Sequence, residues 1–136
     1  MYTERENHTL KTEENTMTEQ TNTYFRALEQ ASNDSPLTDG KHRAYIAWFS
    51  SFRNQSSTFE VNDLPWPRDI HEFVETLRAA GVAEFAVTDR STGLMEGLHG
   101  LATEGCTMQG LCTVTRSELR WGGDGTEEYQ GILFRT

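Results

Sequence analysis

The chain has 136 residues, the size of one ordinary domain and too short for a cofactor module beside a separate substrate domain. Hydrophobic residues make up 35% and charged ones 24%, and no apolar run is long enough to cross a bilayer or serve as a secretory leader. A soluble, cytoplasmic protein is therefore expected. With 21 acidic against 12 basic residues the net charge is −9, which sets the chain against direct binding to nucleic-acid phosphates.

Residues 1–23 contain no Val, Ile, Phe or Trp and are rich in Thr, Asn, Gln and Glu, so they read as a disordered acidic tail ahead of one globular domain over 24–136. Tyr24, Phe25 and Leu28 lie at helical spacing before the terminator Asn33-Asp34-Ser35-Pro36, which predicts a short helix over about 20–32. Thr38 or Asp39 can cap a second helix. Its Tyr45, Trp48, Phe49 and Phe52 recur at i, i+3, i+4 and i+7, an aromatic stripe expected to form core.

Phe59 and Val61 alternate as a first strand, closed by Asn62-Asp63 and the Pro65-Trp66-Pro67 turn. Pro67 suits the first turn of a third helix. Ile70, Phe73, Val74 and Leu77 form its buried stripe, and Gly81-Val82 has the pattern of a Schellman stop. Glu84 to Thr88 reads as a strand, and Ser91 or Thr92 as the cap of a fourth helix with Leu94, Leu98 and Leu101 inward.

That helix carries Gly93, Gly97 and Gly100, unfavourable by about 1 kcal/mol each against alanine unless bare backbone is needed for close packing. Cys106 to Thr115 reads as the longest strand, with Cys106, Met108, Gly110, Cys112 and Val114 on one side. A turn at Trp121 to Gly125 leads to a last strand over Tyr129 to Arg135. The order is two helices, then β-α-β-α-β-β. It implies an α/β or α+β domain: a four-stranded mixed sheet with a parallel core, a C-terminal hairpin, and helices packed on the sheet.

The chemistry-bearing patterns are sparse. No two of the four histidines stand at metal-ligand spacing, and Cys106 and Cys112 are too far apart for a short zinc knuckle. Along a strand those two cysteines are separated by roughly 20 Å, so free thiols are expected rather than a disulfide. No phosphate-binding glycine loop occurs, and Cys112 with His99 and Asp89 is the one nucleophilic triad the composition allows. No cofactor, metal or catalytic residue is expected.

Two candidate sites remain. Thr88 to Gly93 leaves a strand end and enters a helix, where Asp89, Arg90, Ser91 and Thr92 offer an anion or small-molecule site, or simply a helix cap. The other is an acidic face. Asp69, Glu72 and Glu75 share an outer stripe of the third helix, Asp63 precedes it, and Asp124, Glu127 and Glu128 crowd the final hairpin. Such a rank can present negative potential to a basic protein surface, and equally can be an ordinary solvated face. A third reading is a structural module that dimerises through the glycine-bearing helix or an exposed edge strand.

The stretch Arg68 to Val114, with its amphipathic helix, short strand and STGLME helix start running into Gly105-Cys106, resembles a small bacterial domain associated with phages and conjugative elements. The resemblance covers about a third of the chain and implies no catalytic residues. It implies a mobile-element inhibitor of a host nucleic-acid-handling complex, of the anti-CRISPR kind. The leading expectation is thus a non-enzymatic acidic protein that binds a partner with a basic surface.

Overall fold

A computed structural model describes residues 17–118 and 125–136. Four helices and four strands follow in the order α1 (Glu19–Ala31), α2 (Asp39–Asn54), β1 (Glu60–Val61), α3 (Ile70–Ala79), β2 (Glu84–Val87), α4 (Leu94–Thr103), β3 (Thr107–Glu118) and β4 (Gly125–Arg135). The fold is α+β, and the sheet order is β1-β2-β4-β3. The four-stranded mixed sheet and the terminal hairpin match the expectation. Its parallel part is the single pair β1–β2, because β4 enters antiparallel beside β2 and carries β3 to the far edge.

The expected tail ends earlier than residue 23. Thr18 accepts the Thr21 N–H at 3.2 Å as N-cap of α1, and the Thr21 hydroxyl donates to the Ala80 carbonyl at 3.0 Å, tying α1 to the end of α3. Polar composition concealed this turn because its polar groups bond to backbone. Residues 1–16 and the expected turn at Trp121 to Asp124 lie outside the described residues.

The third helix is the most regular match to its periodicity. Ile70, Phe73, Val74 and Leu77 are all buried, and Pro67 opens a 3₁₀ turn ahead of them. Gly81, at φ +81°, ends the helix with both Schellman bonds, Val82 N–H to the Leu77 carbonyl and Gly81 N–H to that of Arg78.

The aromatic stripe of α2 departs from the expectation. Only Trp48 is fully buried; Phe49 and Phe52 remain 38% and 44% exposed, while Gly40, Ala44, Ala47 and Ser51 face inward. Small side chains on that face let α2 approach α3 and β1 closely. A Cβ on Gly40 would stand 2.7 Å from the Glu72 Cβ, and the Ser51 hydroxyl accepts the Glu60 N–H at 2.9 Å. The inward face is set by that fit, so the larger rings are turned toward α1, where Phe25 stacks on Trp48 at 5.6 Å.

A bulge between Met108 and Gly110 corrects the reading of β3. Met108 pairs with Phe134, but Gly110 pairs with Leu133, so the residue sides exchange at the bulge and Met108 does not share a face with Cys112 and Val114. The helices cover the face of Phe59, Val61, Phe85, Val87 and Phe134. On the other face the sheet rolls up. β1 and β3 are opposite edges, yet Ser57 N–H donates to the Thr115 carbonyl at 2.8 Å, Thr115 N–H donates to the Ser57 hydroxyl at 2.9 Å, and Glu60 forms an ion pair with Arg116.

Candidate functional site

Parallel strands deliver their following loops to one end of a sheet. Here the loop after β1 (residues 62–66) and the turn after β2 (residues 88–93) face each other across a cleft of about 630 Å³. Asp89 fixes the two loops together. Its Oδ2 accepts the Leu64 N–H at 2.9 Å and its Oδ1 accepts the Ser91 N–H at 2.6 Å. Leu64 in turn lies on the bare backbone of α4, where a Cβ on Gly97 would come within 2.6 Å of its Cδ1. Gly100 makes the same allowance for Ile70, whereas a Cβ on Gly93 would meet only the Ser91 hydroxyl at 4.0 Å. Close packing therefore accounts for two of the three glycines.

Asp89 is 5% exposed. Burial alone would raise its pKa, but the Leu64 and Ser91 N–H groups outweigh that effect and hold it below the ordinary carboxylate value. The cleft floor is thus a fixed negative charge. Its walls carry Trp66, 64% exposed between Pro65 and Pro67, together with Thr92 and Glu96; Arg43, the one cation on the rim among the described residues, forms an ion pair with Asp63.

The candidate anion-binding residues are only partly brought together. Asp89, Ser91 and Thr92 border the cleft, but Arg90 is exposed and donates to the Gln130 carbonyl at 2.7 Å. Neither Ser91 nor Thr92 caps α4; Gly93 occupies the N-cap position, because the Ser91 N–H is engaged by Asp89 and Leu94 N–H closes a turn on the Ser91 carbonyl.

The acidic rank is largely committed to the protein itself. Asp63 pairs with Arg43, Asp69 lies 3.9 Å from Arg68, Glu75 lies 3.5 Å from Arg78, and Glu72 packs over Gly40. Glu127 and Glu128 are exposed on β4, with Glu127 accepting the Tyr129 hydroxyl; Asp124 lies outside the described residues. The rank and the hairpin carboxylates stand on different elements.

The sequence reading passed over two groups of residues. Trp66 falls in the expected Pro65-Trp66-Pro67 turn and Glu96 in the STGLME helix start, although a tryptophan between two prolines is held in an extended segment that cannot be reabsorbed into a helix. The second is a buried centre on the concave face of the sheet. Glu60, 4% exposed, accepts from Ser56 at 3.1 Å, from Thr88 at 2.7 Å and from two nitrogens of Arg116, whose guanidinium lies 3.6 Å from the Tyr129 ring centroid. Burial would raise the Glu60 pKa, yet the bonds from Arg116 and Thr88, the guanidinium charge and Ser56 together lower it. Both Glu60 oxygens are satisfied, and no buried side-chain nitrogen or oxygen among the described residues lacks a partner, which makes this centre a structural clamp.

The described residues hold no group of three or more His, Cys, Asp or Glu placed to bind a metal. Burial raises the pKa of both free thiols, Cys106 and Cys112, and both Asp89 oxygens are engaged by backbone, so the one triad allowed by composition has neither an activated thiol nor a free carboxylate. Among the described residues no helix is long and apolar enough to cross a membrane.

Residues 43–136 match a family described as Domain of unknown function (DUF7698). No curated protein and no solved structure matches the chain. The matched segment contains the whole cleft and the Glu60–Arg116 clamp, while α1 precedes it. The chain belongs to this family.

Proposed function

We propose that this DUF7698 member is a non-enzymatic protein-binding module that receives a basic side chain of a partner protein in the cleft between the β1 and β2 loops. One observation carries the reading: an exposed indole, Trp66, shares a cleft with the fixed Asp89 charge and with Glu96, while Arg43, the only rim cation among the described residues, is already held by Asp63. An arginine or lysine entering there meets a π face and the Glu96 carboxylate within the field of the Asp89 charge, a combination that attracts a cation. The −9 net charge steers such a partner toward the molecule.

The partner class is a protein with an exposed basic surface. Nucleic-acid-handling complexes are rich in such surfaces, and the resemblance to mobile-element domains supports an inhibitor of one, of the anti-CRISPR kind. The cleft carries this reading in place of the helix rank, where Asp69 and Glu75 already have arginine neighbours.

Titration with a short glycine-serine peptide bearing a single arginine tests the site, with indole fluorescence and calorimetry as readouts. Saturable binding is expected that weakens at high salt, weakens about tenfold in Glu96→Lys, and disappears in Trp66→Ala. Binding that ignores both substitutions, or none at all, overturns the assignment.

A further inference from the structure

We infer that the groove between α1 and α2 is a second docking surface, for an amphipathic helix of a partner protein that carries carboxylates beside its apolar anchors. This surface lies at the other end of α2 from the cleft and has the opposite electrical character. The groove encloses about 580 Å³ and is lined by Ala27 and Gln30 of α1 and by Trp48, Phe49 and Phe52 of α2.

Charge complementarity identifies the occupant. Arg43, Arg68, Arg78, Arg116 and Arg135 each stand beside a carboxylate, and Arg90 donates to a backbone carbonyl. Arg26 and Arg53 form no salt bridge among the described residues, although acids outnumber bases in the chain. Arg26 lines this groove, and Arg53 borders it by lying over Phe49, one of its lining rings. The Arg26 guanidinium is 5.5 Å from the Phe52 ring centroid and that of Arg53 is 5.7 Å from the Phe49 centroid. Glu29 is the one acidic residue among those described on the groove wall, and beside burial it raises the pKa of Tyr45. Two cations free of carboxylates, each lying over an exposed ring, fit a ligand that brings apolar side chains and acidic groups together.

The shape selects a helix. Two helices joined by a short connection leave a furrow that accepts the side-chain ridge of a third. Phe25 of α1 stacks on Trp48 in the core beneath, 5.6 Å between ring centroids, and the exposed Phe49 and Phe52 continue that aromatic surface along α2.

The test uses the full chain and a synthetic amphipathic peptide with a leucine stripe bordered by glutamates, compared with its counterpart bearing lysines. The glutamate peptide is expected to bind at least about tenfold tighter. Arg26→Glu with Arg53→Glu inverts the preference, and Phe52→Ala abolishes binding of both peptides. Arg26→Gln with Arg53→Gln removes the preference with less risk to the fold, and thermal melting establishes that each variant is native. Failure of the glutamate peptide to bind saturably, or equal binding by both peptides, overturns the proposal. So does a several-fold gain in affinity in Glu13→Gln with Glu14→Gln, because the chain's own N-terminal segment is then the occupant.

Discussion

Two sets of carboxylates in this molecule differ in what the fold requires of them. Glu60 and Asp89 are almost completely buried, and every oxygen of theirs is met by a hydroxyl, a guanidinium or a backbone N–H. Asp63 and Glu75 are more than half exposed and hold arginines that water could equally well solvate. The first pair joins segments distant along the chain, β1 to β3 and the β1 loop to the β2 turn. The second contributes to the net charge and little to the architecture. Net charge is a sum over the surface, whereas sites and clamps depend on where individual charges are desolvated.

The largest expected effect that bears on this contrast is Glu60→Ala. It leaves Arg116 mostly buried without its partner and should lower stability by about 3–5 kcal/mol in urea denaturation. Replacing both members, Glu60→Leu with Arg116→Met, should restore most of that loss. A loss below about 1 kcal/mol for Glu60→Ala would show that the clamp is only a surface pair.

Acid provides the next test. Glu60 and Asp89 both have folded-state pKa values depressed below the ordinary ones, so their stabilisation is complete above the unfolded value and is lost as pH falls through the folded one. The urea midpoint of the native protein should therefore drop between about pH 5 and pH 3, and drop less in the Glu60→Leu, Arg116→Met variant.

Asp89→Ala should cost about 2 kcal/mol, since it leaves the Leu64 and Ser91 N–H groups without their acceptor, and Asp89→Asn about half as much. Loosening the two loops should also weaken binding of the arginine peptide more than melting temperature alone would suggest. The smallest effects belong to the exposed set. Asp63→Asn and Glu75→Gln should each change stability by less than about 1 kcal/mol, with the change vanishing in high salt.

The same contrast separates what could be read from the sequence from what could not. The α3 stripe and its Gly81 stop were legible because their causes are local: a 3.6-residue period and a positive φ that glycine takes without strain. Gly97 and Gly100 announced a close approach, though not the identity of Leu64 and Ile70 as the residues approaching. The aromatic stripe of α2 had the right period on the wrong face, since the opposing face is decided by the shapes of α3 and β1, which lie later in the chain. Glu60 and Arg116 are 56 positions apart, and nothing in either neighbourhood marks them as partners. The strand-end position of Asp89, Ser91 and Thr92 follows from the local pattern, but Trp66 and Glu96 reach the cleft from other elements, which no local pattern links to it.

The meeting of Ser57 with Thr115 has a consequence for assembly. A sheet whose two borders are sewn to each other offers no template at the seam, so a neighbouring chain finds no open amides and carbonyls there to extend the ladder. Strand-wise polymerisation is thereby disfavoured at the seam, and in the stretch of β3 before it the Gln109 bulge interrupts the regular spacing that an incoming strand would have to match.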